Sequence, residues 1–520
     1  ERDRVLIDEA VDDAQRRDPG RLTAALEYLR RLLSLRPSLD GPSLDEALEL
    51  VLAWQQVSGP AMAKGVEDTA FYRYNRLISL QEVGGEVGGD PDAIAEFHRH
   101  NLNTLALRPD SMSATSTHDT KRSEDVRARI DVLAEAADAF TAAVTRWHHL
   151  NAHAADELDP RSDSAGPRGP SAGPRADLLV PDPNEEHLLY QTLLGAWPLR
   201  REELPAFRER VAAFLVKSLR EAKEDTSWLQ PNLAYEDALQ AWVGAILTPD
   251  GPSGAGNVPP EPGGGPPRPT SVVSDPTSVV FGRGGAFLED FLPLQRQVAW
   301  YGMLVSLAQV VAKVAAPGIP DFYQGSYLWD LSLVDPDNRR PVDFGERHRI
   351  LLDLDEAADP TPAPRTAELL RNWTDGRIKL FVTRRALHAR RAASALFARG
   401  AYLPLQPAGH HAERVLAFAR HHEESWAVVV VPRLTVGLAA AQAAPLGPSV
   451  WGNTRVPLPP GAPAVWTEVC SGTLVHAVDE AGNAARRKPA DRGAFNQGSA
   501  SVFVGDALRY LPVALLRADE

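Results

Sequence analysis

Between Ser111 and Leu133 the residue pattern changes character, and that change constrains the fold more than any other stretch. Ser111-Met112-Ser113-Ala114-Thr115-Ser116 is small, uncharged and β-tolerant. Thr117-His118-Asp119-Thr120-Lys121-Arg122-Ser123-Glu124-Asp125 is wholly polar, and Val126, Ile130 and Leu133 then recur at helical spacing. The order predicts a strand, a polar turn and a helix. In a barrel of alternating strands and helices, side chains at the C-terminal ends of the strands face the active site. His118 and Asp119 would stand there together. Thr120 or Ser123 suits the N-cap of the helix, but capping requires neither His-Asp before it nor Lys-Arg after it.

The rest of the chain supplies the setting. Residues 4–57 carry apolar stripes (Val5-Leu6-Ile7, Leu22, Leu26, Leu29, Leu32, Leu44, Leu48, Val51) interrupted near Pro37 and Pro42, which predicts packing helices. Lys64, Glu67, Asp68, Tyr72 and Arg73 crowd into ten residues, followed by the pairs Gly84-Gly85 and Gly88-Gly89. Composition there suits a solvated helix start with an ion pair. Residues 125–247 read as mostly helix, with an Ala-rich run over 133–144 and a surface loop over 160–175. Residues 249–285 are rich in Pro, Gly and Ser and read as a disordered insertion. Leu304, Leu307, Val310 and Val314 line one helix face, and Pro317 to Gly325 reads as a short strand between turn signals. Residues 364–398 are helical and basic. From about 400 short β runs take over: 415–419, 426–431, 464–466 and 501–504.

Charge and cysteine content limit the partners. A net charge of −14 disfavours nucleic acid and anionic membrane, so a neutral substrate fits better. Cys470 is the single cysteine, which excludes an internal disulfide and suits the cytoplasm. There is no signal peptide and no apolar run of transmembrane length. The chain opens at Glu1-Arg2 without methionine, and is expected to be a fragment.

The block from His118 to Asp125 resembles the alpha-amylase superfamily motif in which His-Asp ends the seventh barrel strand, and its longer form is similar to the malto-oligosyltrehalose synthase family. Ala63-Lys64-Gly65-Val66-Glu67-Asp68-Thr69-Ala70-Phe71-Tyr72 is similar to that family nearly residue for residue. The segment from Asn184 to Pro198, that from Arg220 to Trp228, and the run from Leu328 to Phe344 resemble it too; Pro317 to Gly325 resembles the superfamily's eighth strand. Tyr327 stands where the family usually carries Glu.

The resemblance implies an α/β fold: the later part of a (β/α)8 TIM barrel with large helical insertions, followed by a small all-β C-terminal domain. The implied divisions are residues 1–362 for the barrel, 363–398 for linking helices and 399–520 for a β-sandwich. Asp119 is the implied catalytic residue, holding donor-sugar hydroxyls and favouring oxocarbenium-like geometry. Substrate contacts are implied for His118, Lys121, Arg122, Lys64, Glu67, Asp68 and Tyr72, and for Asp335 and Arg339. The last two also suit a plain i,i+4 ion pair. The block at 64–72 is expected to be a strand end and loop. Packing accounts for Leu188, Leu189, Thr192 and Leu193, while Lys223, Thr226, Ser227 and Trp228 stay open between packing and sugar contact.

Retaining glycoside chemistry needs a nucleophile and an acid/base about 5–5.5 Å apart. Neither motif is present; Arg129-Ile130-Asp131 imitates the nucleophile motif but falls on the helix after Asp119. The implied whole-protein reaction converts the reducing-end α-1,4 bond of a malto-oligosaccharide into an α,α-1,1 bond without cofactor or metal, with a trehalose-releasing hydrolase as pathway partner. Alternatives are an amylase-type hydrolase and a non-catalytic glucan-binding protein.

Overall fold

The computed structural model describes residues 2–17, 20, 22–36, 41–85, 92–158, 181–248, 285–356, 362–479 and 500–518. The expected surface loop at 160–175, the insertion before Gly285, Pro37 and Gly88-Gly89 lie outside the described residues. The chain forms two compact units, 1–73 and 74–520.

The first unit contains α1 (Arg2–Arg17), α2 (Thr23–Leu33) and α3 (Leu44–Met62). Ser43 caps α3 in a reciprocal box, its side chain accepting from the Glu46 amide while the Glu46 carboxylate accepts from the Ser43 amide at 2.8 Å. The expected strand end at 64–72 is not there. Ala63–Ala70 continues α3 as a wide π-helical turn and Phe71–Arg73 closes it as α-helix. Local bonds favour the helix: Lys64 pairs with Asp68 one turn on, and Thr69 Oγ1 donates to the Lys64 carbonyl at 2.8 Å.

The second unit opens with α4 (Ala93–Leu107) and β1 (Met112–Ala114), then α5 (Glu124–Glu135), α6 (Ala137–Leu158), α7 (Pro183–Ala196), α8 (Leu204–Ala222) and α9 (Leu233–Ile246). The Ala-rich run breaks between α5 and α6 at Ala136. The 30-residue α10 (Ala286–Ala315) leads into β2 (Ile319–Asp321). β2 lies parallel to β1, with Met112 opposite Ile319 and Ala114 opposite Asp321. By length and composition α10 would cross a membrane, contrary to the expectation of no such run, but 89% of its most apolar stretch is buried inside the protein. It is the core helix. Where α5 crosses it, Gly302 admits the backbone of Arg129; a Cβ there would lie 2.7 Å from the Arg129 Cα.

Helices α11 (Phe344–Glu356), α12 (Pro362–Arg371), α13 (Arg377–Ala392) and α14 (Ser394–Arg399) follow. The last part is an antiparallel sheet of β3 (Ala401–Leu405), β4 (Val415–His422), β5 (Ser425–Pro432), β7 (Val465–Glu468), β8 (Leu474–His476) and β10 (Ala514–Ala518), ordered 3-4-5-10-7-8. β6 (Arg455–Pro457) pairs with β9 (Ser501–Phe503) in a separate ladder. Alternation along β5 divides two cores. Val429 and Val431 join the cluster around α10, whereas Val428 and Val430 pack with Trp451 and Trp466 on the other face.

An ionic cluster sits within the helical core. Lys379 on α13 donates to Glu124 at 2.7 Å and to both oxygens of Asp125 at 2.9 and 2.8 Å. Lys313 on α10 lies 3.4 Å from Glu124, donates to Thr115 Oγ1 at 2.8 Å and sits 3.8 Å above the Phe322 ring. All four charged residues are at most 7% exposed. Burial pushes the Glu124 carboxyl up, but Lys379 and Lys313 outweigh it and hold the group at about 2. Burial pushes Asp125 up, and beside the Glu124 charge it stays above its ordinary value.

Two outcomes follow from these buried charges. Lys379→Met leaves two carboxylates short of a cation and should cost about 3–5 kcal/mol in urea denaturation. At the start of α7, Glu185 accepts from Tyr235 and from the Asp182 amide at 3.1 Å, yet burial raises it from 4.5 to about 7. The folded state holds its proton longer than the unfolded chain does. Glu185 therefore favours the fold below about 4.5, and that contribution is lost as pH rises through about 7. Glu185→Gln should gain on the wild type across this window in melting temperatures read against pH.

Candidate active site

The turn from Thr115 to Ser123 is fastened at nearly every step. Thr117 Oγ1 accepts from the Asp119 amide at 3.2 Å, and Thr120 Oγ1 donates to the Thr117 carbonyl at 3.0 Å. Glu82 accepts from the amides of Lys121 and Arg122 at 2.8 and 3.2 Å, and its charge is met by Arg127 at 2.8 Å. Ser116 Oγ accepts from the Glu124 amide at 2.8 Å. Ser123 occupies the N-cap position of α5, but its hydroxyl donates to the Asp330 carbonyl rather than capping.

The amide of Asn338 completes the clamp. Its Nδ2 donates to the carbonyls of His118, Thr117 and Thr120 at 3.0, 3.4 and 3.4 Å. Tyr323 in turn donates to the Asn338 carbonyl at 3.1 Å.

Held on this frame, His118 and Asp119 are exposed. The Asp119 carboxylate has no hydrogen-bond or ion-pair partner among the described residues. Lys121 and Arg122, by contrast, are 5% and 1% exposed. Arg122 was expected at the substrate, but its guanidinium faces inward, donating to the Ile78 carbonyl at 3.2 Å with Phe214 beneath it. Its backbone bridges to Leu333, which ties the turn to the 330 loop.

Asp335 lies in that loop, joined to Pro336 by a cis peptide bond. Its nearer cation is Lys217 on α8, which donates to Oδ1 at 2.7 Å and to the Asp335 carbonyl at 2.8 Å. Arg339, the expected partner, stands 3.7 Å away and half exposed. Burial raises the Asp335 carboxyl, but Lys217, Arg339 and Lys121 together leave it below its ordinary value. Asp337 receives a two-pronged bond from Arg210 at 2.7 and 2.8 Å.

The remaining expected residues fall in the first unit. Lys64 is exposed and paired with Asp68, Glu67 is partly buried and Tyr72 is 4% exposed. The open residues at 223–228 resolve into a helix end. Lys223 takes the left-handed conformation, Thr226 donates to Glu236 at 2.6 Å, and Arg220 stacks over the half-exposed Trp228 at 4.9 Å. Arg129 is buried and donates to the Gly195 and Trp197 carbonyls, in keeping with a packing role for Arg129-Ile130-Asp131.

A polar cavity of about 320 Å³ is lined by Arg210, Asp330, Ser332, Asp337, Asn338 and Arg340, with further residues around them. It includes none of His118, Asp119, Lys121 or Asp335. No group of three or more His, Cys, Asp and Glu that could hold a metal occurs among the described residues.

Relatives match most of the chain. Maltooligosyl trehalose synthases of two Mycobacterium tuberculosis strains are 34% identical over 418 residues, covering 80% of this chain and 42% of theirs. The chain belongs to the maltooligosyl trehalose synthase family. The maltooligosyltrehalose synthase structure from Arthrobacter ramosus superposes with a TM-score of 0.66 at 31% identity, over 99% of this chain and 51% of that one. A synthase structure from Sulfolobus tokodaii, at 23% identity and a TM-score of 0.58, shares the fold. No family model matches. The chain spans about half the length of these relatives.

Sequence reasoning missed Glu82, Lys217 and Asn338, because each acts on a segment remote in sequence. Asn338→Ala should free the turn without unfolding the protein. Losing one such clamp costs about 1 kcal/mol, so amide exchange over 117–120 should quicken several-fold while exchange in α10 is unchanged.

Proposed function

We propose that the protein takes part in converting the reducing-end α-1,4 bond of malto-oligosaccharides to an α,α-1,1 bond, the reaction that the name of its family implies. The observation that carries this reading is Asp119: an exposed, unpaired carboxylate on a tightly fixed turn, in a chain of this family. In the proposal β1 and β2 are the seventh and eighth strands of a (β/α)8 barrel within residues 1–362, residues 363–398 link, and residues 399–520 form a β domain.

Asp119 and His118 bind hydroxyls of the donor sugar, and the Asp119 charge favours the oxocarbenium-like transition state. Lys121, Asp335 and Arg339 are proposed as substrate contacts, and Lys64, Glu67, Asp68 and Tyr72 of the first unit are proposed as sugar contacts in their own right. Arg122, with its guanidinium turned inward, acts by holding the turn. Lys121 helps retain the released glucose until its anomeric hydroxyl attacks, and water is excluded meanwhile. Residues 1–520 contain no nucleophile or acid/base motif in this reading, so they turn over no glucan unaided. The proposed setting is the cytoplasm, with a trehalose-releasing hydrolase next in the pathway. An amylase-type hydrolase or a glucan-binding protein are the competing readings.

In a chain completed with the nucleophile and acid/base, Asp119→Asn should lower turnover by orders of magnitude, with folding preserved. The substitution keeps the shape and removes the charge. Product analysis for α,α-1,1-linked sugar against free glucose separates mutase from hydrolase. Turnover within a few-fold of wild type removes Asp119 from the mechanism.

A further inference from the structure

A second cavity of the 74–520 unit, about 470 Å³, has a different chemistry from the polar one beside Asn338. Its size is that of small-molecule sites. On α10, Gln295, Arg296 and Trp300 turn toward it along one helical stripe, together with Leu292 and Ala299. Trp197, Trp300 and Trp373 form its aromatic wall and are 4%, 8% and 7% exposed. The Nε2 of Gln295 and the Nε1 of Trp300 are buried donors with no acceptor among the described residues.

Its charge is one-sided. Arg296 and Arg371 line it, and neither has an ion-pair partner among the described residues; Arg371 donates only to the Ala367 carbonyl of its own helix, at 3.3 Å. No Asp or Glu lines the cavity, in a chain whose net charge is −14. Two guanidinium groups without carboxylates favour an oxyanion, which arginine binds in a planar, two-pronged fashion. Flat indole faces favour a ring with an apolar side. Donors lacking acceptors favour a ligand rich in oxygen.

We propose that this cavity is a binding site for a sugar phosphate. The ring packs against the tryptophans, and Arg296 and Arg371 hold the phosphate. None of residues 115–125 or 335–337 lines it, so it is separate from the Asp119 turn and does not depend on the reaction assigned there.

The test is calorimetric titration of the protein with glucose 6-phosphate, with glucose and inorganic phosphate in parallel. Glucose 6-phosphate should bind, and both controls should bind at least tenfold more weakly. Replacing Arg296 and Arg371 together by Ala should weaken glucose 6-phosphate at least tenfold. Arg371 is exposed and Arg296 half-buried, so the melting temperature serves as a check that this variant is folded. Trp300→Leu should also weaken binding, by removing the stacking face. Absence of glucose 6-phosphate binding overturns the proposal. So does equal affinity for phosphate alone, equal affinity for glucose, or binding that the double arginine variant leaves unchanged.

Discussion

The buried pairing of Glu124 and Asp125 with Lys313 and Lys379 is the constraint on which the helical core depends. Two carboxylates and two ammonium groups balance at positions almost closed to solvent. Each ion loses several kcal/mol of hydration on entering such a site, and only close geometry recovers it. That geometry draws on α5, α10, α13 and the 330 loop at once, since the Asp330 amide also donates to Asp125 at 2.7 Å. An apolar replacement would hold the helices together as well. What the charges add is intolerance of sliding, because a shift that separates any one ion leaves another uncompensated.

That intolerance reaches the turn within a few residues. Glu124 begins α5, and Thr115, which closes the other side of the cluster, follows β1 directly. The segment between them is therefore pinned at both ends before any of its own bonds are counted. Glu82, Ser116 and Asn338 then satisfy its backbone groups. The Arg122 side chain, turned inward to Ile78, adds a further fastening where a substrate contact was expected.

Local pattern made some of this legible. The strand, polar turn and helix at 112–135 are present, as are the β runs near 415, 426, 465 and 501. Period and turn chemistry act within a few residues, so a sequence displays them. The 64–72 block departs from expectation: its likeness to a family motif implies a loop, while Lys64-Asp68 and Thr69-Lys64 bonds close it as a helix. Glu124 and Asp125 carry no local mark of burial; nothing nearby announces Lys379, more than 250 positions away. Lys217 at Asp335 and Asn338 at the turn were hidden for the same reason. Partners made by tertiary folding leave no local trace.

The contrast among neighbouring carboxylates carries the functional argument furthest. Glu124 and Asp125 are saturated by cations and buried, so neither is available to a sugar without losing its lysine. Asp119, five residues before Glu124, has no cation to surrender among the described residues and is open to solvent. A group that stabilises developing positive charge is most effective when it is already in place and uncommitted, since nothing must rearrange as the charge appears. The surrounding hydrogen bonds supply the first condition by fixing the backbone of the turn. The second is met because the Asp119 carboxylate has no ion-pair partner among the described residues, whereas Lys217, Lys313 and Lys379 are each engaged with another carboxylate.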